Sequence, residues 1–191
     1  MMLKMPAEWA PHEAVWIGFP HLAEEWAGTI DEGRRDVAAF ANAVHDGGRG
    51  EEVRLVVNDQ RQAEIAAKLV DSGVKILVQP LGDIWLRDTG PIFGPGSASA
   101  QAFVFNGWGG KYDLPHDDEV ADQIGEQTGV ALTRHDFILE GGALDHDGAG
   151  TILTTRQCLL NPNRNTGWTE AKAEAARLAA APRHRSWTLL F

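Results

Sequence analysis

Only one cysteine, Cys158, stands among the 191 residues. A single thiol closes no internal disulfide, so the fold rests on packing rather than covalent staples. No apolar run reaches about eighteen residues, the length a membrane-spanning helix needs. The opening Met1-Met2-Leu3-Lys4-Met5-Pro6-Ala7-Glu8 carries no apolar stretch of the secretory kind. With the lone cysteine, this gives the expectation of a cytoplasmic protein. Basic residues are few, 17 Lys and Arg against 27 Asp and Glu, for a net charge of −10. That balance disfavours nucleic acid and anionic membrane as partners. It draws small cations from a distance, although ordinary solubility accounts for the same charge. No Gly-x-Ser-x-Gly element points to a serine hydrolase. Gly107-Trp108-Gly109-Gly110-Lys111 lacks the spacing and the following Ser/Thr of a phosphate loop. Asp145-His146-Asp147 has no second ligand set at metal spacing, and Asp147-Gly148 reads as a hairpin turn.

What is present is a chain of 43% hydrophobic residues, long enough for one domain and undivided by linker or low-complexity tract. Helical periodicity covers Asp31–Asp46, with Val37, Phe40, Ala41 and Val44 facing inward. Thr29 and Glu32 read as a capping box before it, and Gly47-Gly48 as its stop. Further helices are expected at Gln60–Ser72, Asp117–Thr128 and Thr169–Ala181, the last ending at Pro182. Strand patterns fall at Ala14–Phe19, Val53–Val57, Val74–Gln79, Pro91–Phe93, Ala102–Phe105, Phe137–Leu139 and Thr151–Thr155. Alternating helices and strands define an α/β fold. Asp88–Phe105 and Glu140–Thr155 share one order: an acid and a glycine, a short strand, a Gly-rich turn, a second strand. Such an echo points to a repeated architecture.

Three polar groupings stand out. In Gly82-Asp83-Ile84-Trp85-Leu86-Arg87-Asp88-Thr89-Gly90-Pro91, a strand end delivers two acids, an arginine and a tryptophan into one turn. Strand ends are where α/β folds place ligand-binding side chains. A partly buried Asp88 needs a partner, and Arg87 and a substrate cation are equal candidates. In Leu139-Glu140-Gly141-Gly142 the simplest reading is a glycine turn with a solvated glutamate. In Phe105-Asn106-Gly107-Trp108-Gly109-Gly110-Lys111-Tyr112, Trp108 suits either stacking on a planar cation or a lid over core. Cys158, beside Leu159 and Leu160, reads as a small buried hydrophobe.

Taken together, these segments resemble the agmatine deiminase family, related to bacterial-type peptidylarginine deiminases. Met5-Pro6-Ala7-Glu8-Trp9-Ala10-Pro11-His12-Glu13 is similar to its opening signature, and Trp16-Ile17-Gly18-Phe19-Pro20 follows. Asp83 to Pro91 resembles its Trp-x-Arg-Asp-x-Gly-Pro block. Phe105–Tyr112, Leu139–Gly142 and Leu153–Asn165 resemble later blocks, in family order. The resemblance implies a five-bladed, pseudo-symmetric α/β propeller of the pentein type, with about half of the blades in this chain. Residues 1–182 would form the N-terminal part of the deiminase domain, and 183–191 an atypical tail.

The implied reaction is hydrolysis of a guanidino substrate, agmatine or a relative, to a ureido product and ammonia in putrescine and polyamine synthesis. A cysteine thiolate attacks, and a His serves as acid/base. Asp88 would bind the guanidinium, Trp85 form a pocket wall, Glu140 act as the active-site glutamate, and Trp108 line the site. Arg87 is assigned to structure. No cofactor or metal is implied, and homo-oligomerisation of the full-length parent is left open. The family's His-x-Asp motif and nucleophilic cysteine have no counterpart here, so no residue of this chain is assigned as catalytic. The expectation is a truncated or frame-disrupted reading of a longer protein, itself inactive. The alternative is a non-catalytic fragment or a guanidinium-binding module; an amidinotransferase-like use of the same fold is a third reading. Phe19-Pro20-His21-Leu22 departs from the Trp-Pro-x-Arg of agmatine-using members, which opens the choice among agmatine, arginine and peptidyl arginine.

Overall fold

The structure, a computed structural model, describes residues 6–94, 99–180 and 186–190. The Pro182 helix stop, the opening residues 1–5, the tip of the first Gly-rich turn and residues 183–185 and 191 of the tail lie outside them. The chain forms two compact units: residues 11–86 with 114–117, and residues 1–10, 87–113 and 118–191.

The first unit is a parallel sheet of β1 (Val15–Gly18), β2 (Val53–Val57) and β3 (Lys75–Val78), in that order. Parallel neighbours require crossovers. These are α1 (Ile30–His45) and α2 (Gln60–Ala66). Val53, Leu55 and Val57 of β2 pack with Ile17, Phe19, Ala41, Ala63, Ala66 and Val74 in a closed core. Phe40 departs from expectation, being 57% exposed. At about 100° per residue, the stripe through Val37, Ala38, Ala41 and Val44 leaves position 40 on its edge. The expected capping box is also absent. The Thr29 hydroxyl donates to the Trp26 carbonyl at 2.6 Å, and Glu32 pairs with Arg35. Asp59 caps α2 by accepting from the Gln62 N–H at 2.8 Å. Beyond Ala66 this helix relaxes into turns rather than running to Ser72.

The second unit holds two sheets of the same plan. α3 (Leu86–Thr89) leads, from Arg87 onward, into β4 (Ile92–Phe93), which pairs antiparallel with β5 (Ser99–Val104). A tight turn, α4 (Gly107–Gly110), and α5 (Val120–Thr128) follow; β6 (Ala131–Ile138) then pairs parallel with β5. After Glu140 the pattern recurs. β7 (Asp145–His146) pairs antiparallel with β8 (Thr151–Thr155), α6 (Arg156–Leu160) and α7 (Glu170–Ala180) cross over, and β9 (Ser186–Leu190) pairs parallel with β8. The echo between the two stretches is thus one of topology, a hairpin followed by a parallel crossover. Asp147 closes the second hairpin by accepting from the N–H groups of Ala149, Gly150 and Thr151. Those donors hold its carboxyl far below the usual carboxylate range. The Asp147-Gly148 pair is therefore a turn, as its residue types indicate. Leu139, Leu159 and Ala173 form one core cluster of this unit, with Phe103, Phe137 and Trp168 packed against them. Cys158 is half-buried on α6 rather than buried, its N–H donating to the Thr155 hydroxyl.

Candidate functional site

Asp88 sits in α3, half-buried. Its Oδ1 accepts from the Gly142 N–H at 3.0 Å and its Oδ2 from the Trp108 indole N–H at 3.3 Å. Each oxygen thus keeps further acceptor capacity. The turn after Glu140 comes this close because it lacks side chains. A Cβ on Gly141 would lie 2.2 Å from the Arg87 carbonyl oxygen, and one on Gly142 would lie 2.1 Å from Asp88 Oδ1. Arg87 does not serve Asp88. It donates instead to Glu8 Oε1 at 2.5 Å, an oxygen that also lies 3.5 Å from His146 Nε2. Of the two partners the sequence left open for Asp88, the structure removes the arginine.

Glu140 corrects a simpler expectation. It is 3% exposed, not solvated. Burying an ionised carboxylate alone is very costly, so a cation must accompany it. That cation is Arg164, whose Nε donates to Glu140 Oε1 at 2.5 Å. Glu140 Oε2 is buried and has no hydrogen-bond partner. Arg164 went unassigned in the sequence, although a buried glutamate beside Leu139 demands a basic partner somewhere. It is carried by a turn in which Asn161 accepts from the Arg164 and Asn165 N–H groups. Asn165 staples that turn to the end of β6. Its side chain accepts from the Ile138 N–H and donates to the carbonyls of Ile138 and Leu159.

Trp108 adopts φ +54, a left-handed conformation uncommon for a bulky residue. Asn106 supports it, its Oδ1 accepting from the Gly109 N–H at 2.9 Å and its Nδ2 donating to the Asn163 carbonyl at 2.9 Å. Phe105 and Tyr112 meet the indole edge-on, at 4.9 and 6.1 Å between centroids. Trp108 therefore reaches Asp88 through its N–H, a contact neither sequence reading anticipated. Asp88, Trp108 and Glu140 come together in the second unit.

Trp85 belongs to the first unit, with 55% of its surface exposed. In that unit the turn after β3 is held by Asp117, 1% exposed, which accepts from the N–H groups of Gly82 and Asp83 at 2.9 and 3.0 Å. Asp117 thus serves a turn instead of opening α5. Phe19 is fully buried, and the Pro20 carbonyl accepts from Arg34 Nε at 3.0 Å. Burial lowers the pKa of His21, against the opposing pull of Asp59, Asp83 and Glu24.

Chemically, paired carboxylates at glycine turns suit a planar, permanently charged group with several N–H donors. An α/β chain with two hairpin-and-crossover sheets, each preceded by such an acid beside a glycine turn, defines the class. The chain belongs to the Porphyromonas-type peptidyl-arginine deiminase family, whose profile matches residues 4–181. It is 36% identical over 180 residues to an agmatine deiminase of Pseudomonas aeruginosa, covering 90% of this chain and 48% of that protein. Among solved structures it resembles an agmatine deiminase of C. jejuni with substrate bound, at TM-score 0.87 and 27% identity, over 99% of this chain and 56% of that one. An agmatine deiminase of Enterococcus faecalis matches at TM-score 0.84 and 29% identity, over 98% and 53%. The chain thus spans about half the length of the curated relatives it matches. Among the described residues, no helix is long and apolar enough to cross a membrane.

Proposed function

We propose that this chain supplies the guanidinium-holding part of an agmatine deiminase-type C–N hydrolase built on the pentein propeller. The observation that carries the reading is one hydrogen-bonded network containing Asp88, Trp108 and the Glu140 turn. Asp88 meets the backbone of the turn that begins at Glu140, so two acids stand at neighbouring glycine turns, and carboxylates suit a flat cation with several N–H donors. The relatives named agmatine deiminase support the reaction class. In the proposed chemistry a thiolate attacks the guanidinium carbon, ammonia departs, and water releases the ureido product. The substrate is a small guanidino compound, whose planar cation matches the acceptors that Asp88 presents. We assign the nucleophile and the His-x-Asp acid/base to a part of the parent protein outside these residues. The chain alone then binds without turnover.

Calorimetric titration with agmatine, beside an ammonia-release assay, tests this reading. Binding that Asp88→Asn abolishes, with no ammonia released, is the expected result. Ammonia released by the isolated chain, and lost in Cys158→Ala, would overturn it; so would agmatine binding that Asp88→Asn leaves intact.

A further inference from the structure

The network around Asp88 and Glu140 contains one side chain with no assigned role, Arg164. Its Nε is committed to Glu140 Oε1. The rest of its guanidinium packs on the α4 turn, where a Cβ on Gly109 would lie 2.0 Å from Arg164 Nη1 and 2.4 Å from Asn163 Nδ2. Gly109 is the neighbour of Trp108, whose indole N–H reaches Asp88. Asn106 ties the same two turns together through Gly109 and Asn163.

We propose that Arg164 is a positioning residue that sets both carboxylates at once, Glu140 directly through Nε and Asp88 through the Trp108–Gly109 turn packed against its guanidinium. The proposal rests on the reading of Asp88 and Glu140 as the substrate-holding pair. It gives that pair a direction. With Oε1 occupied by Arg164, Oε2 is the Glu140 oxygen left for an incoming donor. A lysine would not substitute, because a compact ammonium on a flexible stem cannot pair with Glu140 and brace Gly109 together.

The Trp108 indole N–H signal in nitrogen-15 NMR, assigned through Trp108→Phe, reports the brace without any substrate. Glu140→Gln alone still offers Arg164 Nε an amide oxygen to donate to, so the signal is expected to stay close to its wild-type position. Adding Arg164→Gln replaces the ion pair by two neutral amides, which avoids an unpaired buried charge and keeps the chain folded. The indole signal should then move, and its hydrogen exchange should quicken by at least about tenfold. Arg164→Lys should give the same displaced signal. It should also weaken agmatine binding by between about 10- and 100-fold, the range seen when a partner behind a metal ligand is removed. An unmoved indole signal in the double variant, or equal agmatine affinity in wild type and Arg164→Lys, would overturn the proposal. Absence of agmatine binding by the wild type, with the indole displacement observed, would strike down the guanidino reading and leave the positioning role standing.

Discussion

Gly109 and Gly110 are adjacent glycines with left-handed φ values of +84 and +74, so alanine at either meets the same backbone penalty. That penalty is about 1–2 kcal/mol. Their surroundings differ sharply. A Cβ on Gly110 finds nothing within 4 Å, whereas one on Gly109 would overlap Arg164 Nη1 at 2.0 Å. Arg164 cannot retreat without loosening its hold on buried Glu140. Breaking one side of a buried pair costs about 3–5 kcal/mol. Gly110→Ala should therefore lower stability by about 1–2 kcal/mol and Gly109→Ala by about 4 kcal/mol or more. In a chain of this size each kcal/mol moves Tm by about 2–4 °C. Calorimetric melting of the two variants should then differ by roughly 6–20 °C. Equal melting temperatures would refute the claim that Arg164 fills the space over Gly109.

Two further outcomes follow from side chains away from that turn. Asp117→Ala removes the acceptor of two backbone N–H groups in a buried turn, so urea unfolding should show a loss of about 2–4 kcal/mol. Asp117→Asn, which keeps one acceptor oxygen, should lose less. His135 stacks on Phe103 at 4.8 Å and its ring nitrogen lies 2.6 Å from Gln101 Oε1; burial lowers its pKa. The unfolded chain then binds the proton more readily than the folded one, so this residue's contribution is present above about pH 6.5 and is lost as pH falls below it. His135→Gln should flatten the stability profile between pH 7 and pH 5, and an unchanged slope would contradict the burial argument.

The elements most legible in the sequence were those whose pattern is local. β2 and β8 lie where Val53–Val57 and Thr151–Thr155 place them, because short runs rich in β-branched residues mark a strand locally. β6 begins at Ala131, well before the expected Phe137, since Thr133, Arg134 and Asp136 hide a strand that parallel pairing with β5 creates. β7, two residues long, has no period at all. In the site, Asp88 and Glu140 were legible as acids beside glycine turns. Arg164 was not, because its partner lies 24 residues earlier and only the folded turn reveals it. Arg87, one of two equal candidates beside Asp88, is the opposite case. Adjacency to Asp88 offered a pairing, yet successive residues on a helical turn point apart, and Glu8 takes the charge.

The Glu8–Arg87 pair has a consequence for how the chain reaches its native state. Glu8 leaves the ribosome before any of the first unit, yet its partner follows 79 residues later and His146 later still. The Glu8–Arg87 contact therefore has to wait while the whole parallel sheet is synthesised. Contacts of such sequence separation are slow to close, so docking of this segment falls late in folding.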